Sequence, residues 1–354
     1  MEEKKDTLGM LDLVIRPGFC VKENQIIKVN QAAESLFITP GTDVRPLLLT
    51  GSEEYAAFTG GCLYLTLNLS SHSCGASVTR VDDIDVFLLE QESDNGELRS
   101  MALAARELRE PLTNVMITAD SLFPLCATEE SPRTAEQVAR LNRGLFQILR
   151  IIGNMSDAER CAAVSHQETV DIPALFAEFF EKAETLVSHT GITLTYEGPD
   201  QPIYGLADRE QLERAVLNIL SNAIKFTPKG GTVTAKLTRS GRMLRLSVTD
   251  SGSGIAQSVR SSVFSRYLRQ PALEDSRYGI GLGMVLIRTA AAHHGGAVLI
   301  DQPEGVGTRI TMTMSIRQSK QATLRSNILR VDYAGERDHG LIELSECLPT
   351  ELYE

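Results

Sequence analysis

Residues 213–228 read ERAVLNILSNAIKFTP, and this stretch decides how the rest of the chain is interpreted. As a helix, it places an apolar flank where it can pack on a sheet. The side chains of that flank are Leu212, Val216, Ile219 and Ala223. The spacing i, i+4 and i+7 confines Asn218, Asn222 and Lys225 to an arc of roughly 60° on another face. Carboxamide oxygens suit magnesium and a lysine suits phosphate, but taken alone the pattern favours an ordinary solvated face.

Two segments of alternating hydrophobicity follow, and this period of two predicts half-buried strands. The apolar sides of these strands are Val233, Ala235 and Leu237 in the first, and Leu244, Leu246 and Val248 in the second. The second strand runs into the sequence DSGSGI, which begins at Asp250 and contains Gly252 and Gly254. An aspartate at a strand end followed by two glycines offers a carboxylate acceptor beside backbone that a planar ring can approach closely.

A second glycine motif, Gly279, Gly281 and Gly283 around Leu282, opens a predicted apolar helix over residues 284–292. Glycines at a helix N-terminus expose free N–H groups and the positive end of the helix dipole, which suits phosphate. A dinucleotide-binding fold is excluded, because no strand immediately precedes the motif and no βαβ unit surrounds it. A third glycine motif ends at Thr308 and leads into another strand that alternates from Ile310 to Ile316.

The order and spacing of these motifs resemble the ATP-binding domain of bacterial sensor histidine kinases, which is of the GHKL type. Residues 218–226 resemble the N box of that domain, residues 250–255 its first glycine box, and residues 279–283 its second. Residues 263–267 resemble the F box, and residues 305–308 close the set. The resemblance implies a two-layer α/β sandwich of the Bergerat type in residues 166–317, with ATP and Mg²⁺ as cofactors.

The resemblance also implies roles for individual residues. Asn222 is expected to ligate magnesium, Asp250 to accept a hydrogen bond from the adenine amino group, and Lys225 to meet the phosphates. An ATP lid is expected over residues 257–278. The other residues expected to contact the nucleotide are Asn218, Gly252, Gly254, Gly279, Gly281, Leu282, Gly283 and Thr308.

Residues 93–165 predict two long helices with heptad patterns. In the first, apolar residues step by four and three at Met101, Ala105, Leu108, Leu112, Val115, Ala119 and Leu122. In the second, they step similarly at Val138, Leu141, Leu145, Ile148, Ile152 and Met155. Such a hairpin buries its seam most simply as a dimeric four-helix bundle, although packing within one chain is an alternative. Ser131 and Pro132 mark the predicted turn.

The first of these helices carries the run RELREPL over residues 106–112. This run resembles the histidine kinase motif His-Glu-Leu-Arg-Thr-Pro-Leu. In that alignment, Arg106 stands at the position of the phosphoacceptor histidine and Glu110 at the position of the threonine. Glu107, the catalytic residue that the resemblance implies, is retained. A guanidinium has no free lone pair, and deprotonating it at neutral pH costs roughly 7 kcal/mol. The sequence therefore predicts that this chain does not phosphorylate itself on a histidine of this helix.

Residues 1–92 form a first unit that resembles a PAS sensor domain. Two short strands flank a turn at Glu23 and Asn24, a short helix is predicted over residues 31–37, and further strands over residues 62–69 and 77–90. At the other end, residues 318–354 are predicted to form a tail with a possible hairpin, with strands at residues 328–333 and 341–344.

Charge and composition narrow the class of protein. The net charge of −11 argues against a nucleic-acid-binding protein, and no run of apolar residues is long enough for a membrane span. The charged N-terminus lacks a secretory core, and the six cysteines show neither CxxC nor metal-site spacing. These features predict a soluble, cytoplasmic chain of multidomain α+β class.

Three functions are compatible with the sequence. The first is an ATP-binding sensor histidine kinase that forms a homodimer and acts on a partner kinase or response regulator. The second is a regulatory binding module in which ATP is only an effector. The third is another GHKL kinase or ATPase, but those lack a heptad hairpin with a Glu-Leu-Arg-x-Pro-Leu run. The stimulus, the partner and the role of the tail cannot be identified from the sequence.

Overall fold

The computed structural model describes residues 9, 11–69, 72–90, 93–126, 132–163, 166–255, 263–264, 282–303, 307–317 and 338–353. Its strands are β1 (Gly18–Lys22), β2 (Gln25–Val29), β3 (Cys62–Asn68), β4 (Ser73–Val81), β5 (Ile84–Leu89), β6 (Glu168–Asp171), β7 (Thr193–Glu197), β8 (Tyr204–Ala207), β9 (Thr232–Ser240), β10 (Met243–Asp250), β11 (Val298–Asp301) and β12 (Arg309–Ser315). Its α-helices are α1 (Gln31–Glu34), α2 (Ser52–Ala56), α3 (Ser93–Cys126), α4 (Pro132–Ala163), α5 (Ile172–Val187), α6 (Arg209–Phe226), α7 (Gly283–His293) and α8 (His339–Glu343).

One mixed sheet runs through the described residues in the order β2-β1-β5-β4-β3-β11-β12-β10-β9-β7. Neighbouring strands are antiparallel, apart from the parallel pair β7 and β9. Strands β6 and β8 pair separately. The sheet therefore continues from the N-terminal unit into the region of the glycine motifs.

The N-terminal unit is the five-stranded half of this sheet, from β2 to β3. Glu23 and Asn24 both adopt positive φ, +50° and +64°, as a tight two-residue hairpin requires, so the predicted pair of strands around them is confirmed. The helix predicted over residues 31–37 is shorter, since α1 ends at Glu34. Phe37 has a positive φ of +62°, a conformation that a helix cannot contain.

The other half of the sheet is covered by helices α5, α6 and α7, which share one core with β7, β9, β10, β11 and β12. The predicted strand faces are confirmed because their alternating apolar side chains are buried. Those side chains are Val233, Ala235, Leu237, Leu244, Leu246, Val248, Ile310, Met312 and Met314. Helix and sheet thus form the two layers that hold the glycine motifs.

The long helices α3 and α4 form the predicted hairpin, but four positions of the heptad stripe remain exposed. Side chains buried between the helices include Ala105, Leu112, Met116, Leu145, Leu149 and Ile152. The stripe positions Leu108, Val115, Leu141 and Ile148 are 50%, 52%, 50% and 46% exposed. Neither these helices nor any other in the described part has the length and apolarity that a membrane span requires.

The two halves of the sheet meet where β3 pairs with β11, with Tyr64 opposite Val298 and Leu63 opposite Leu299. Beside this junction, the guanidinium of Arg288 lies 2.6 Å from Glu90 and 4.9 Å from the centre of the Tyr64 ring. This pairing covers an edge strand that would otherwise expose unpaired backbone groups.

The tail differs from its prediction. The strand predicted at residues 341–344 is wrong, because α8 occupies His339–Glu343. The Asp338 carboxylate caps this helix by accepting from the Leu341 amide at 3.0 Å, which favours helix over strand. Ile342, Leu344 and Leu348 are then buried against the rest of the molecule. The other predicted strand, at residues 328–333, lies outside the described residues.

His294, directly after α7, is buried and holds two elements together. Its Nε2 accepts from the Asp208 amide at 3.0 Å, and its Nδ1 lies 2.7 Å from the Ala290 carbonyl. These contacts assign a neutral imidazole with the proton on Nδ1. Burial lowers the pKa of His294 below the ordinary histidine value.

We predict that His294 makes the fold less stable as the pH falls. The unfolded state binds a proton on this histidine below pH about 6.5, whereas the folded state resists it, so protons favour unfolding in that window. The midpoint of thermal unfolding should therefore fall between pH about 7 and about 5. His294→Gln should flatten this dependence, and His189→Gln, at an exposed position, should leave it unchanged. Equal pH dependence in all three proteins would contradict the assignment.

Candidate functional site

Helix α6 carries the first group of predicted site residues. Its N-terminus is capped by Asp208, whose carboxylate accepts from the Gln211 amide at 3.2 Å. At its other end, the Thr227 hydroxyl donates to the Ala223 carbonyl at 2.7 Å. The whole predicted apolar flank is buried on the sheet, which leaves the other side of the helix to Asn218, Asn222 and Lys225.

Asp250 ends strand β10 in the buried centre of the site. One carboxylate oxygen accepts from the amide of Gly252 at 2.8 Å and from that of Thr308 at 3.1 Å. Burial raises the pKa of Asp250, and these hydrogen bonds oppose that rise only in part. The structure thus brings together three predicted residues that are distant in sequence, Asp250, Gly252 and Thr308.

Glycine is required at two places around Asp250. A Cβ on Gly252 would lie 2.3 Å from the Phe226 carbonyl, at the end of α6. A Cβ on Gly307 would lie 1.9 Å from the carbonyl of Asp250, and Gly307 also has a positive φ of +114°. The backbone therefore approaches the aspartate more closely than any other residue would permit.

Asn218 faces the start of α7 and is almost completely buried. Its amide donates to the Arg214 carbonyl at 2.9 Å. A Cβ on Gly283 would come within 2.8 Å of Asn218 Oδ1, so glycine permits this close approach. Among the described residues, Oδ1 has no hydrogen-bond partner. A buried carboxamide acceptor of this kind is costly unless something else satisfies it.

Asn222 and Leu282 lie beside the same helix start. The Asn222 amide lies 3.9 Å from the sulfur of Met284, in the first turn of α7. Leu282 is buried immediately before that helix. Gly254 has a positive φ of +74° and packs against Gln302.

Lys225 has a partner that sequence reasoning missed. Its ammonium forms an ion pair with Glu346 of the tail, and its side chain is only 10% exposed. Nothing in the spacing of the tail carboxylates indicated this contact, because it joins residues far apart in the chain.

The remaining predicted residues are only partly described. Gly279, Gly281 and most of the predicted lid lie outside the described residues, within which only Val263 and Phe264 belong to the lid. The Phe264 carbonyl accepts from Arg288 at 2.9 Å. Arg106 and Glu107 are exposed on α3.

These residues fit a magnesium-bound nucleotide. A buried carboxylate lies in a glycine cradle, a carboxamide oxygen is unsatisfied, and an ammonium group is close by. No cluster of three or more His, Cys, Asp or Glu in the described part could hold a metal by itself. Magnesium commonly keeps waters and binds through phosphates with few protein ligands, so Asn222 and the nucleotide together would suffice.

Comparison with known proteins identifies this region. Residues 207–318 match the family of histidine kinase-, DNA gyrase B- and HSP90-like ATPases. An uncharacterised sensor-like histidine kinase of Rhizobium meliloti is 29% identical over 276 residues, which cover 73% of this chain and 52% of that protein. The adaptive-response sensory kinase SasA of Crocosphaera subtropica is 26% identical over 246 residues, covering 66% of this chain and 64% of that kinase. The chain thus matches between half and two thirds of the length of these relatives.

Among solved structures, full-length ShkA in complex with AMPPNP shares the fold, with a TM-score of 0.52 and 23% identity. The similarity covers 70% of this chain and 54% of ShkA. The ATPase-family match covers the residues around Asp250, and the sensor kinase relatives extend over the greater part of the chain. Residues 207–318 thus match the histidine kinase-like ATPase family, and the chain as a whole is similar to two-component sensor histidine kinases.

Proposed function

We propose that this protein binds Mg-ATP and takes part in two-component signalling without a phosphoacceptor histidine of its own. The observation that carries the proposal is the buried Asp250 carboxylate inside a cradle of obligatory glycines. The absence of a phosphoacceptor in this proposal rests on Arg106, which the motif resemblance aligns with the histidine of the family.

In the nucleotide site, Asp250 would accept from the adenine amino group and Asn222 would ligate magnesium. Asn218 would present its unsatisfied oxygen to the same ligand, and Lys225 would bind phosphate. The ATP would supply a phosphoryl group for transfer. Gly252, Gly254 and Gly283, with Leu282 and Thr308, would shape the walls, and Gly279 and Gly281 would complete the phosphate cradle.

Because position 106 carries no histidine, we infer that any transfer of a phosphoryl group is directed to a partner. Arg106 and Glu107 are exposed on α3, and a protonated guanidinium has no free lone pair with which to attack a phosphoryl group. Glu107 is too weak a base to remove a proton from that guanidinium. In the catalytic case we propose a histidine on a partner kinase as the acceptor, reached when the partner replaces one copy of this chain in the dimer, and a response regulator would then receive the phosphoryl group.

The architecture of the N-terminal unit supports a PAS-like sensor. Its strand order, β2-β1-β5-β4-β3, brings the first and last hairpins together, with short helices between β2 and β3. Its core is filled by aromatic packing, including stacked Phe19 and Phe87 rings 4.7 Å apart. The chemical class of its ligand stays open.

A homodimer is supported by the four exposed positions of the heptad stripe. Leu108 and Val115 on α3, with Leu141 and Ile148 on α4, lie exposed between buried stripe positions. A second copy of the hairpin would bury them and complete a four-helix bundle.

A non-catalytic regulatory module is the second candidate, and Arg106 also favours it. In that case ATP would change contacts with a partner without transfer of phosphate. Incubation with labelled ATP and a partner kinase separates the two, because only the first candidate leaves label on the partner.

We predict that Asp250→Asn weakens ATP binding by about 1–3 kcal/mol, because the variant turns a donor toward the exocyclic amine of adenine. Titration calorimetry of the full chain measures the change. Asp200→Asn is the matched control, since it removes an exposed carboxylate from the same domain. Absence of ATP binding by the unmodified protein at millimolar nucleotide would remove the basis of the proposal.

We predict that Leu108→Glu and Ile148→Glu each yield monomers in light scattering. Both side chains are exposed in the single chain, so the charge is expected to disrupt association and leave the fold intact. Ile117→Glu is the control, because Ile117 is similarly exposed at 59% but lies outside the heptad stripe. Leu112→Glu should instead lower the stability of the hairpin itself, since Leu112 is buried within one chain. An unmodified protein that is monomeric at high concentration would refute the dimer.

We predict that the unmodified chain acquires no phosphohistidine when incubated with labelled ATP. Arg106→His should restore labelling, and Arg106→His with Glu110→Thr should restore more, because the nucleophile and then the neighbouring hydroxyl return. Addition of Asn222→Ala should abolish the restored label, and acid lability with mass spectrometry should place it at position 106. Acid-labile phosphate on a native histidine would contradict the prediction. A double variant that binds ATP but stays unlabelled would favour the regulatory module.

A further inference from the structure

The C-terminal segment 338–353 packs across two parts of the molecule at once. Tyr353 stacks edge-on against Phe146 of α4, with ring centres 5.2 Å apart. The Arg143 guanidinium, also on α4, donates to the carbonyls of Ser345 at 2.9 Å and Glu346 at 3.1 Å. These contacts fix the segment beside the hairpin, while its carboxylates turn toward α6.

The Glu343 carboxylate joins the hairpin to the nucleotide-site helix. It is fully buried and lies 3.3 Å from Arg150 of α4 and 3.1 Å from Arg214 of α6. The Asn218 amide lies 3.4 Å from the same carboxylate. A buried carboxylate between two guanidinium groups has its charge compensated, so this contact can persist away from water.

Glu346 reaches further along the same face of α6, where its Oε2 atom pairs with Lys225 and also lies 2.9 Å from Arg150. Burial would raise the pKa of Glu346, but these two cations outweigh burial and lower it, which keeps the carboxylate charged. Lys225 is the residue assigned above to phosphate. Its ammonium is paired with Glu346 and its side chain is only 10% exposed, so a phosphate that takes the place of the carboxylate has to displace it.

The segment also holds the two helices against each other. The Arg150 guanidinium donates to the Ser221 hydroxyl of α6 at 3.1 Å, and Arg214 donates to Asn154 of α4 at 2.8 Å. The arginines that meet Glu343 are thus the same ones that bridge α4 and α6. Movement of the ATP-binding region relative to the hairpin would disturb all of these contacts together.

We propose that residues 338–353 form an autoinhibitory strap, in which Glu346 competes with the phosphates of ATP for Lys225 while Glu343 fastens α6 to α4. The inference rests on the proposed ATP site. Binding of the nucleotide then displaces Glu346. Since only molecules with an open strap bind the nucleotide, the apparent Kd equals the intrinsic Kd divided by the open fraction.

The test is nucleotide affinity of the full chain, measured by titration calorimetry with Mg-ATP. Glu346→Gln keeps the size of the side chain and removes its charge, and we expect its Kd to be lower by about five-fold or more. Glu351→Gln is the matched control, because it removes one negative charge from the exposed side of the same segment and should leave Kd unchanged.

Hydrogen exchange of the unmodified protein gives a second measurement that does not depend on a variant. The amides of Leu344 and Leu348 donate within the segment at 2.9 Å and 3.0 Å, so they report its opening. Addition of Mg-ATP should speed their exchange. This measurement decides the question should Glu346→Gln fail to fold.

The outcomes separate the two proposals. Equal Kd values for the unmodified protein and Glu346→Gln would overturn the strap and leave ATP binding intact. Binding that appears only in Glu346→Gln would support both the site and the strap. Absence of binding in every protein would overturn the ATP site, and the strap as its competitor would fall with it.

Discussion

The structure depends on a buried charge arrangement that no single domain contains. Glu343 is completely enclosed, with Arg150 of the hairpin on one side and Arg214 of the nucleotide-site helix on the other. Removing one partner from a buried pair leaves an uncompensated charge, which costs several kcal/mol, roughly 3–5. The hairpin, the ATP-binding region and the tail are therefore held in one relative arrangement.

The second connection is made through backbone. The pairing of β3 with β11 makes the sheet continuous from the N-terminal unit to the ATP-binding region. Arg288 lies at this junction, where it contacts Glu90, the Tyr64 ring and the Phe264 carbonyl of the F-box-like segment. Backbone pairing and the Arg288 side chain thus both connect the N-terminal sheet to the F-box-like segment.

The chain keeps the residues of the nucleotide site but not the histidine motif of the kinases that it resembles. The residues that shape a nucleotide site are retained, with Asp250 held by the amides of Gly252 and Thr308. Arg106, which the motif resemblance aligns with the phosphoacceptor position of the family, carries a guanidinium that has no free lone pair. This combination underlies our proposal that the chain binds ATP without forming a phosphohistidine and acts through a partner.

The sequence alone determined the elements whose signal is local. The alternation of Val233, Ala235 and Leu237 predicted β9, and the heptads predicted both hairpin helices, because burial of one face imposes a period on the sequence. It also predicted the motifs around Asp250, since glycine is the residue that permits close backbone approach. Only the tertiary structure decided which positions of the heptad stripe are buried, that β3 pairs with β11, that the tail forms a helix, and that Glu346 reaches Lys225. Those contacts join residues far apart in the chain, and the free energy that selects them comes from burial and charge pairing, which leave no periodic pattern in either partner.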